Sequence, residues 1–149
     1  MKIETKYLGE VVIEEENIIR FEAGLPGFDD EVDFVLLDLA ENDAFQILQS
    51  VKTSNLAFVV TNPHLYYPEY EFTLEQPVID ALKIESEKSI AILSVLTLKD
   101  PFKESTINLQ APIIINNDTK YAKQYILNND QFNMRARITE TEAAVKGED

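Results

Sequence analysis

The sequence predicts an all-β fold: a small antiparallel, barrel-like single domain with one short helix. Short apolar runs recur along the chain, and clusters of turn residues separate most of them. The longest run, residues 89–98, is apolar at most positions, which indicates a central strand covered on both faces. Many short strands with frequent turns are typical of a small barrel or a sandwich.

Turn residues divide the candidate strands. We expect strands in these apolar segments: 11–13, 17–21, 32–39, 45–51, 56–61, 89–98, 107–109 and 113–115. An acidic turn at 14–16 separates the first two, and residues 53–55 form the connection of a hairpin. Pro112 cannot donate a ladder hydrogen bond, so we expect a bend, a bulge or a sheet edge there. Residues 116–118 form a turn.

One segment favours a helix. Val78, Ile79 and Leu82 stand at positions i, i+1 and i+4, which share one helical face. Pro77 suits the first turn of a helix, because its missing N–H costs nothing there. We therefore predict a short helix over 77–82. Residues 120–127 fit a helix or a strand.

A tight turn lies between Phe21 and Phe28. Pro26 presets φ at the second position of a type II turn, and Gly27 supplies the positive φ that the third position requires. Gly24 adds a second permissive backbone site. We expect the rings of Phe21 and Phe28 to fill the interior of the domain.

Length and composition exclude several classes of protein. A chain of 149 residues predicts one domain over 1–138, followed by a flexible polar tail over 139–149. The absence of cysteine excludes disulfides, zinc-thiolate sites and cysteine nucleophiles. The first residues lack the apolar run of a signal peptide, and no run reaches the length of a membrane span. We expect a cytoplasmic protein that does not bind a membrane.

The chain is strongly acidic, with a formal net charge of −14. The first 50 residues hold 13 acidic and three basic residues. Such a field repels phosphates, so we expect no direct binding to nucleic acid. The same field would attract a basic protein and speed the encounter. The alternative is that acidity only maintains solubility.

No residue pattern predicts a catalytic or cofactor site. His64 is the only histidine, and without a positioned partner we expect a loop histidine rather than a general base. Asp29, Asp30 and Glu31 are adjacent acids, but they lack the spacing of a calcium-binding EF-hand loop. We expect no bound metal or cofactor. The alternative function is a small carbohydrate-active or carbohydrate-binding β-protein that uses paired carboxylates.

A loop rich in tyrosine and acid is the candidate protein-binding segment. It contains Tyr66, Tyr67, Glu69, Tyr70 and Glu71. Tyrosine is enriched at interfaces because its ring buries area while its hydroxyl still forms a hydrogen bond. The carboxylates could pair with arginines of a basic partner. Alternatively, the tyrosines pack on the sheet and close a hydrophobic edge.

Four blocks of the chain resemble the FliW family of flagellar assembly factors. They are residues 21–28, 45–50, 108–116 and 122–127, the last followed by a segment with Arg135. They occur in family order and span residues 1–138. The residues that carry the resemblance are Phe21, Gly24, Leu25, Pro26, Gly27, Phe28, Gln49, Ser50, Asn108, Gln110, Pro112 and Asn116. Ala44 and Ile47 depart from the pattern, which has a proline and a bulkier aromatic. We expect Asn108, Gln110 and Asn116 to satisfy backbone groups at strand ends.

The resemblance implies a function as well as a fold. It implies a small antiparallel β-barrel-like domain, in which residues 120–127 form a strand. It further implies a non-enzymatic regulator with two partners, the RNA-binding translational repressor CsrA and flagellin. While flagellin accumulates, it occupies the regulator; when flagellin is exported, the regulator binds CsrA away from its RNA-binding surface and relieves repression. From composition, we expect residues 66–71 and the acidic first half to face CsrA.

Overall fold

A computed structural model describes residues 1–39, 42–127 and 132–138 of the chain. These residues form eleven strands and one α-helix, together with short 3-10 turns. The elements are β1 Lys2–Glu4, β2 Glu10–Val12, β3 Ile19–Arg20, β4 Asp33–Leu39, β5 Asn42–Ser50, β6 Ala57–Thr61, α1 Gln76–Ala81, β7 Ile90–Thr97, β8 Thr106–Ile107, β9 Ile113–Asn116, β10 Ala122–Gln124 and β11 Ala136–Arg137. The prediction of an all-β fold with one short helix is confirmed. The predicted polar tail, 139–149, lies outside the described residues.

Seven strands form one antiparallel path. Their order is β10, β9, β7, β6, β5, β4 and β3. The two ends of this path meet where a parallel bridge joins Arg20 to Tyr121, and the N–H of Arg20 donates to the carbonyl of Lys120 at 2.7 Å. The sheet is therefore curled until its first and last strands touch at one bridge rather than along a ladder. Short β8 pairs with β7, and β11 pairs with β8.

The interior of the curled sheet is a single apolar cluster. Alternate residues of a strand face the same side of the sheet. Each of the seven strands directs at least one buried side chain to the inner face. The members are Ile19, Phe21, Leu25, Phe34, Leu48, Val60, Leu93, Ile113, Ile115 and Ala122. This cluster holds the strands around one core, although in the described part of the chain a single bridge joins the two ends of the sheet.

Satellite clusters cover the outer face of the sheet. The β1–β2 hairpin packs on β4 through Ile3 and Ile13, which contact Val35. Helix α1 packs on β9 through Val78 and Leu82. The helix has Pro77 in its first turn, as predicted, and it ends before Lys83, whose φ of +55° is the left-handed conformation common at that position.

The central strand and the hairpin also agree with the sequence pattern. Strand β7 pairs with β6, β8 and β9, and its two faces carry Leu93 in the interior cluster and Leu96 in an outer one. Strands β5 and β6 form the predicted hairpin, and residues 120–127 contain β10. The acidic turn is a 3-10 turn, Glu15–Asn17. The sequence pattern did not predict β1, which pairs with β2.

Candidate protein-interaction surfaces

The turn after β3 has the predicted type II form. The N–H of Phe28 donates to the carbonyl of Leu25 at 2.7 Å, and Gly27 has a φ of +85°. Pro26 and Gly27 are both exposed at its tip. Proline before a glycine of positive φ is the combination that this turn requires, so local sequence is sufficient to form it.

Gly24 is required for a second reason. Its φ is +72°, and a Cβ built there would lie 2.6 Å from the carbonyl oxygens of both Phe28 and Asp29. The chain folds back on itself so closely that no side chain fits. Gly27, with a similar φ, has no atom within 4 Å of such a Cβ.

The two phenylalanines at the ends of this segment have different environments. Phe21 is fully buried, and its ring packs edge-on against Phe34 with centroids 5.3 Å apart. Phe28 is 41% exposed and contacts Phe58 at 6.1 Å. The expectation that both rings fill the interior was therefore wrong for Phe28, whose ring packs against Phe58 and stays partly exposed. Phe28 forms an exposed surface with Asp29 and Asp30, which we call the turn face.

Ser50 connects the turn segment to the β5–β6 hairpin. Its hydroxyl donates to Glu31 Oε1 at 2.6 Å and accepts the N–H groups of Lys52 and Thr53. The Thr53 hydroxyl donates to Glu31 Oε2 at 2.5 Å. These hydroxyl hydrogen bonds, from Ser50 first and Thr53 second, lower the pKa of the Glu31 carboxyl from its ordinary value of 4.5. The carboxylate thus holds the two loops together in its charged form.

Gln49 connects the same hairpin to the amino terminus. Its side-chain oxygen accepts the N–H of Lys6 at 3.0 Å, and its amide nitrogen donates to carbonyls of the hairpin, including that of Ser54 at 3.1 Å. Gln49 is fully buried, as is Ser50. Both motif residues therefore organise three loops beneath the surface and do not present side chains to solvent.

The polar residues of the third motif satisfy backbone groups, as the sequence predicted. Asn108 Oδ1 accepts the N–H groups of Gln110 and Ala111, which forms the bend before Pro112. Asn116 is buried, and its amide donates to the carbonyl of Leu82 at 2.8 Å, at the end of α1. Asn108 thus shapes the bend before β9, and Asn116 joins β9 to the end of the helix.

The tyrosines of the candidate binding loop pack on the sheet. Tyr70 is buried, its hydroxyl donates to the carbonyl of Leu109 at 2.6 Å, and its ring meets Phe132 edge-on at 5.1 Å. Burial raises the pKa of the Tyr70 phenol well above its ordinary value, and burial also raises the pKa of Tyr66. The Tyr67 hydroxyl donates to the carbonyl of Arg137. The sequence left open whether the tyrosines face a partner or pack on the sheet, and Tyr70 packs on the sheet.

The acidic residues of this loop are at the surface. Glu69 and Glu71 are exposed on either side of buried Tyr70. His64 is also exposed; its Nε2 lies 2.8 Å from the carbonyl of Tyr70 and its Nδ1 lies 3.1 Å from Asn62 Oδ1. His64 is thus a loop residue that helps to hold Tyr70 in place. The exposed carboxylates of Glu69 and Glu71 are attached to a loop that is anchored through buried Tyr70.

A groove of about 390 Å³ lies beside β4. Its lining includes Val12, Ile13 and Leu37, with Glu14 and Asp38 among its polar residues. The sequence analysis missed this feature. The acidic residues 14–16 were the signal in the sequence, because the turn that they form limits β3 to two residues. Beyond those two residues, β4 pairs with β5 but not with β3.

No metal-binding cluster of three or more His, Asp or Glu side chains is found in the described part of the chain. Glu14 and Asp38, the carboxylates of the groove, are both exposed, and Asp38 accepts a hydrogen bond from Gln46 Nε2 at 2.9 Å. Among the residues described, no helix is long and apolar enough to cross a bilayer.

The fold and its motif-bearing loops define a class of small all-β proteins built on one curled antiparallel sheet. The family model described as FliW protein matches residues 2–138. A flagellar assembly factor FliW of Oceanobacillus iheyensis is 48% identical over 138 residues, which cover 93% of this chain and 94% of the relative. That of Bacillus subtilis is 42% identical over 138 residues, covering 93% and 96%. The chain belongs to the FliW family of flagellar assembly factors.

A solved structure agrees with this assignment. The crystal structure of a flagellar assembly factor FliW is similar with a TM-score of 0.89 and 46% identity, and the match covers 93% of this chain and 96% of that one. The family predicted from four motif blocks is therefore confirmed. The alternative, a carbohydrate protein with paired carboxylates, has no support from these comparisons.

Proposed function

We propose that this protein is a non-enzymatic cytoplasmic regulator that binds CsrA and flagellin in alternation. The observation that carries the proposal is membership of the flagellar assembly factor family over residues 2–138. While flagellin accumulates, it occupies the regulator and leaves CsrA free to repress flagellin translation. When flagellin is exported, the released regulator binds CsrA and relieves the repression.

Mutual exclusion of two partners requires overlapping surfaces or a coupling free energy between two sites. The described loops are held by buried side-chain hydrogen bonds, such as those of Gln49 and Ser50, and offer little freedom for one loop to move alone. Overlap of the two surfaces is therefore the simpler arrangement.

The charge of the surface supports a basic partner. Glu69 and Glu71 are exposed beside the packed tyrosines, and the turn face adds Asp29 and Asp30. CsrA, as an RNA-binding protein, presents positive charge, and complementary fields speed encounter and select among partners. We assign the CsrA-facing surface to Glu69 and Glu71, with the exposed edges of Tyr66 and Tyr67 beside them.

Isothermal titration against CsrA, with and without saturating flagellin, tests the switch. We expect binding to CsrA alone and none once flagellin is bound. If CsrA still binds the flagellin complex, the protein remains a regulator but mutual exclusion is wrong. If neither protein binds, the proposed partners are wrong.

Charge reversal locates the surface. The double variant Glu69→Lys/Glu71→Lys should weaken CsrA binding roughly tenfold, since each exposed ion pair contributes about 0.2–1 kcal/mol. The matched control is Asp29→Lys/Asp30→Lys, which makes the same change of charge on the turn face. If the control loses affinity and the loop variant keeps it, the CsrA surface is the turn face.

The salt dependence of association tests the role of acidity. If the net charge of −14 steers the encounter, the association rate with CsrA should fall steeply as ionic strength rises. A rate that does not change with salt would leave solubility as the role of the acidic residues.

A further inference from the structure

Among the described residues, no strand pairs with one edge of β4 along its second half, which we call the free edge. Strand β3 pairs with β4 at two positions, Ile19–Phe34 and Arg20–Asp33. The residues that precede β3 in the chain do not extend the pairing, because they form the 3-10 turn Glu15–Asn17. Backbone groups in an antiparallel strand point alternately to the two neighbours. The N–H of Val51 in the β5–β6 hairpin donates to the carbonyl of Asp33 in β4. The backbone N–H and C=O groups of the odd-numbered residues of β4 therefore point to β5.

The backbone groups of Leu36 and Asp38 therefore point to the open side of β4. The N–H of Phe21, which follows β3, donates to the carbonyl of Val32 on that same side. This hydrogen bond confirms that the backbone groups of even-numbered residues point toward β3. Continuing the register of β3 would place Asn17 opposite Leu36, but Asn17 is already in the 3-10 turn. Two residues of β4 thus offer N–H and C=O groups to a missing strand.

The groove occupies the place of that missing strand. Its apolar wall includes Val12, which is 68% exposed, and Leu37. Asn17 and Asn117 also line it, and both side chains are exposed. A volume of about 390 Å³ is within the range of ~300–1,000 Å³ that small-ligand sites have. The groove therefore has room for side chains of an added strand.

The rim of the groove is mainly acidic. Glu14 and Asp38 line it with exposed side chains, and Glu15 and Glu16 follow in the adjacent turn. Among the described residues that line the groove, Lys120 is the one basic residue. The charge favours an occupant with basic side chains.

We propose that the free edge of β4 binds an extended segment of another protein, in which apolar and basic residues alternate, as an added strand. Main-chain hydrogen bonds to Leu36 and Asp38 would give affinity, as in other cases of strand addition. The apolar side chains would enter the groove beside Val12 and Leu37, and the basic ones would meet Glu14 and Asp38. This edge is built from other elements than the loop of Glu69 and Glu71, so the proposal does not depend on CsrA or flagellin.

A second copy of the chain fits this edge less well. Two copies would bring together two acidic rims on proteins that each carry a charge of −14, and like charges across an interface are unfavourable. A basic segment has no such cost.

A synthetic peptide of alternating lysine and valine, six residues long with blocked ends, is the probe. Its valines face one side of a strand and its lysines face the other. In amide hydrogen exchange by NMR, we expect the N–H groups of Leu36 and Asp38 to exchange readily in the free protein. With the peptide bound, their exchange should slow by about tenfold or more, since a paired amide exchanges only through opening.

Two control peptides separate the proposed contacts. Methylation of alternate backbone nitrogens, in each of the two registers, should abolish binding in the register that removes the paired N–H groups. Replacement of lysine by glutamate should also abolish binding, because it opposes the acidic rim. Equal binding of both methylated peptides would overturn strand addition, and binding of the glutamate peptide would overturn the basic occupant.

A matched pair of variants tests the protein side. Asp38→Ala removes the rim charge but keeps the N–H, whereas Asp38→Pro removes both. Asp38 is exposed, and a proline is tolerated on an edge where no partner needs its N–H. The alanine variant should lose affinity a few-fold, and the proline variant about tenfold or more, since each 1.4 kcal/mol is a factor of ten. Equal loss in two folded variants would contradict pairing at residue 38.

Two further outcomes would overturn the proposal. Peptide-induced shifts confined to other strands would place the site elsewhere. Protection of Leu36 and Asp38 in the free protein that grows with its concentration would mean that the edge pairs with a second copy. If the proline variant does not fold, the methylated peptides decide, because they leave the protein unchanged.

Discussion

The turn segment from Phe21 to Phe28 and the loop that holds Tyr70 use aromatic residues in opposite ways. In the turn, the backbone conformation is fixed by glycine and proline, and one ring, that of Phe28, is left 41% exposed. In the loop, the conformation is fixed by the aromatic side chains, and Tyr70 is only 5% exposed. The surface of the turn is therefore aromatic and acidic, whereas that of the loop is mainly acidic.

This difference shows what determines whether an aromatic side chain in a turn or loop is buried or exposed. A turn whose shape comes from its backbone does not need both of its flanking rings in the core, so one is free to face solvent. A loop without glycine must be held by its side chains, and the tyrosine hydroxyl supplies a hydrogen bond that reaches a backbone carbonyl far along the sequence. Tyrosine enrichment alone does not distinguish an interface from such an anchor.

The largest expected effect separates the two rings of the turn. Phe21→Ala should lower the free energy of unfolding by about 3–5 kcal/mol, because it opens a cavity in the interior cluster. Phe28→Ala, at a ring that is 41% exposed, should cost less than about 2 kcal/mol. Urea denaturation of both variants measures the difference. Equal losses would mean that Phe28 is as much a core residue as Phe21, and the contrast between the rings would fail.

A pair of glycine variants tests whether the backbone fixes the turn. Gly24→Ala should cost about 2–5 kcal/mol, from ~1–2 kcal/mol for positive φ and ~1–3 kcal/mol for overlap with the carbonyls of Phe28 and Asp29. Gly27→Ala has the φ cost alone and should lose about 1–2 kcal/mol. Thermal or urea unfolding gives both values. A Gly27 variant as unstable as the Gly24 variant would show that φ, not close approach, dominates.

The loop is expected to depend on its hydroxyls instead. Tyr70→Phe leaves the buried carbonyl of Leu109 without its partner and should cost about 1–3 kcal/mol. Tyr67→Phe, at a more exposed hydrogen bond, is the control and should cost about 0.5–1.5 kcal/mol. Both values come from urea denaturation near neutral pH. A Tyr70 variant as stable as the wild type would mean that ring packing alone holds the loop.

The same variant has a signature at alkaline pH. Burial raises the folded-state pKa of Tyr70 above its ordinary value of 10.0, so the folded state holds the phenol proton more tightly than the unfolded state does. The stabilisation is complete below pH 10 and is lost as pH rises above it. Tyr70→Phe should remove that part of the alkaline loss, and an unchanged alkaline profile would contradict the burial of an unionised phenol.

Much of the fold follows from local pattern, because long apolar runs and turn residues act over a few neighbours. The central strand β7, the β5–β6 hairpin and α1 were predicted for this reason. Strand β8 was predicted at 107–109 and is found at Thr106–Ile107. Strands β1 and β11 were not predicted, since two or three residues carry no measurable period and their pairing depends on distant partners. The open edge at Leu36 and Asp38 depends on where β3 stops, which is set by the 3-10 turn.

The motif residues show the same limit. Gln49 and Ser50 were singled out by resemblance, but their sequence gives no sign that their side chains form hydrogen bonds with other loops. For Asn116 a backbone partner was predicted, but not that this partner is Leu82 at the end of α1. Those contacts join segments that are far apart in the chain, such as Lys6 to Gln49. For the same reason the exposure of Phe28 could not be predicted, because it depends on where Phe58 lies.

The smallest effect concerns the junction between the turn segment and the hairpin. Hydrogen bonds from Ser50 and Thr53 lower the pKa of Glu31 below its ordinary value of 4.5, so the folded state binds that proton less readily than the unfolded state. The stabilisation from this carboxylate is present above pH 4.5 and is lost as pH falls through the lowered folded-state pKa. Glu31→Gln should therefore flatten the acid limb of the stability curve, measured by urea denaturation from about pH 2 to about pH 7, a range that extends about two units or more on either side of the ordinary carboxyl pKa. Asp30→Asn, at an exposed neighbour on the turn face, is the control and should leave that limb steeper than Glu31→Gln does. If the two variants have the same acid limb, Glu31 does not join the two loops through its charge, and the turn would be held to the hairpin by packing alone.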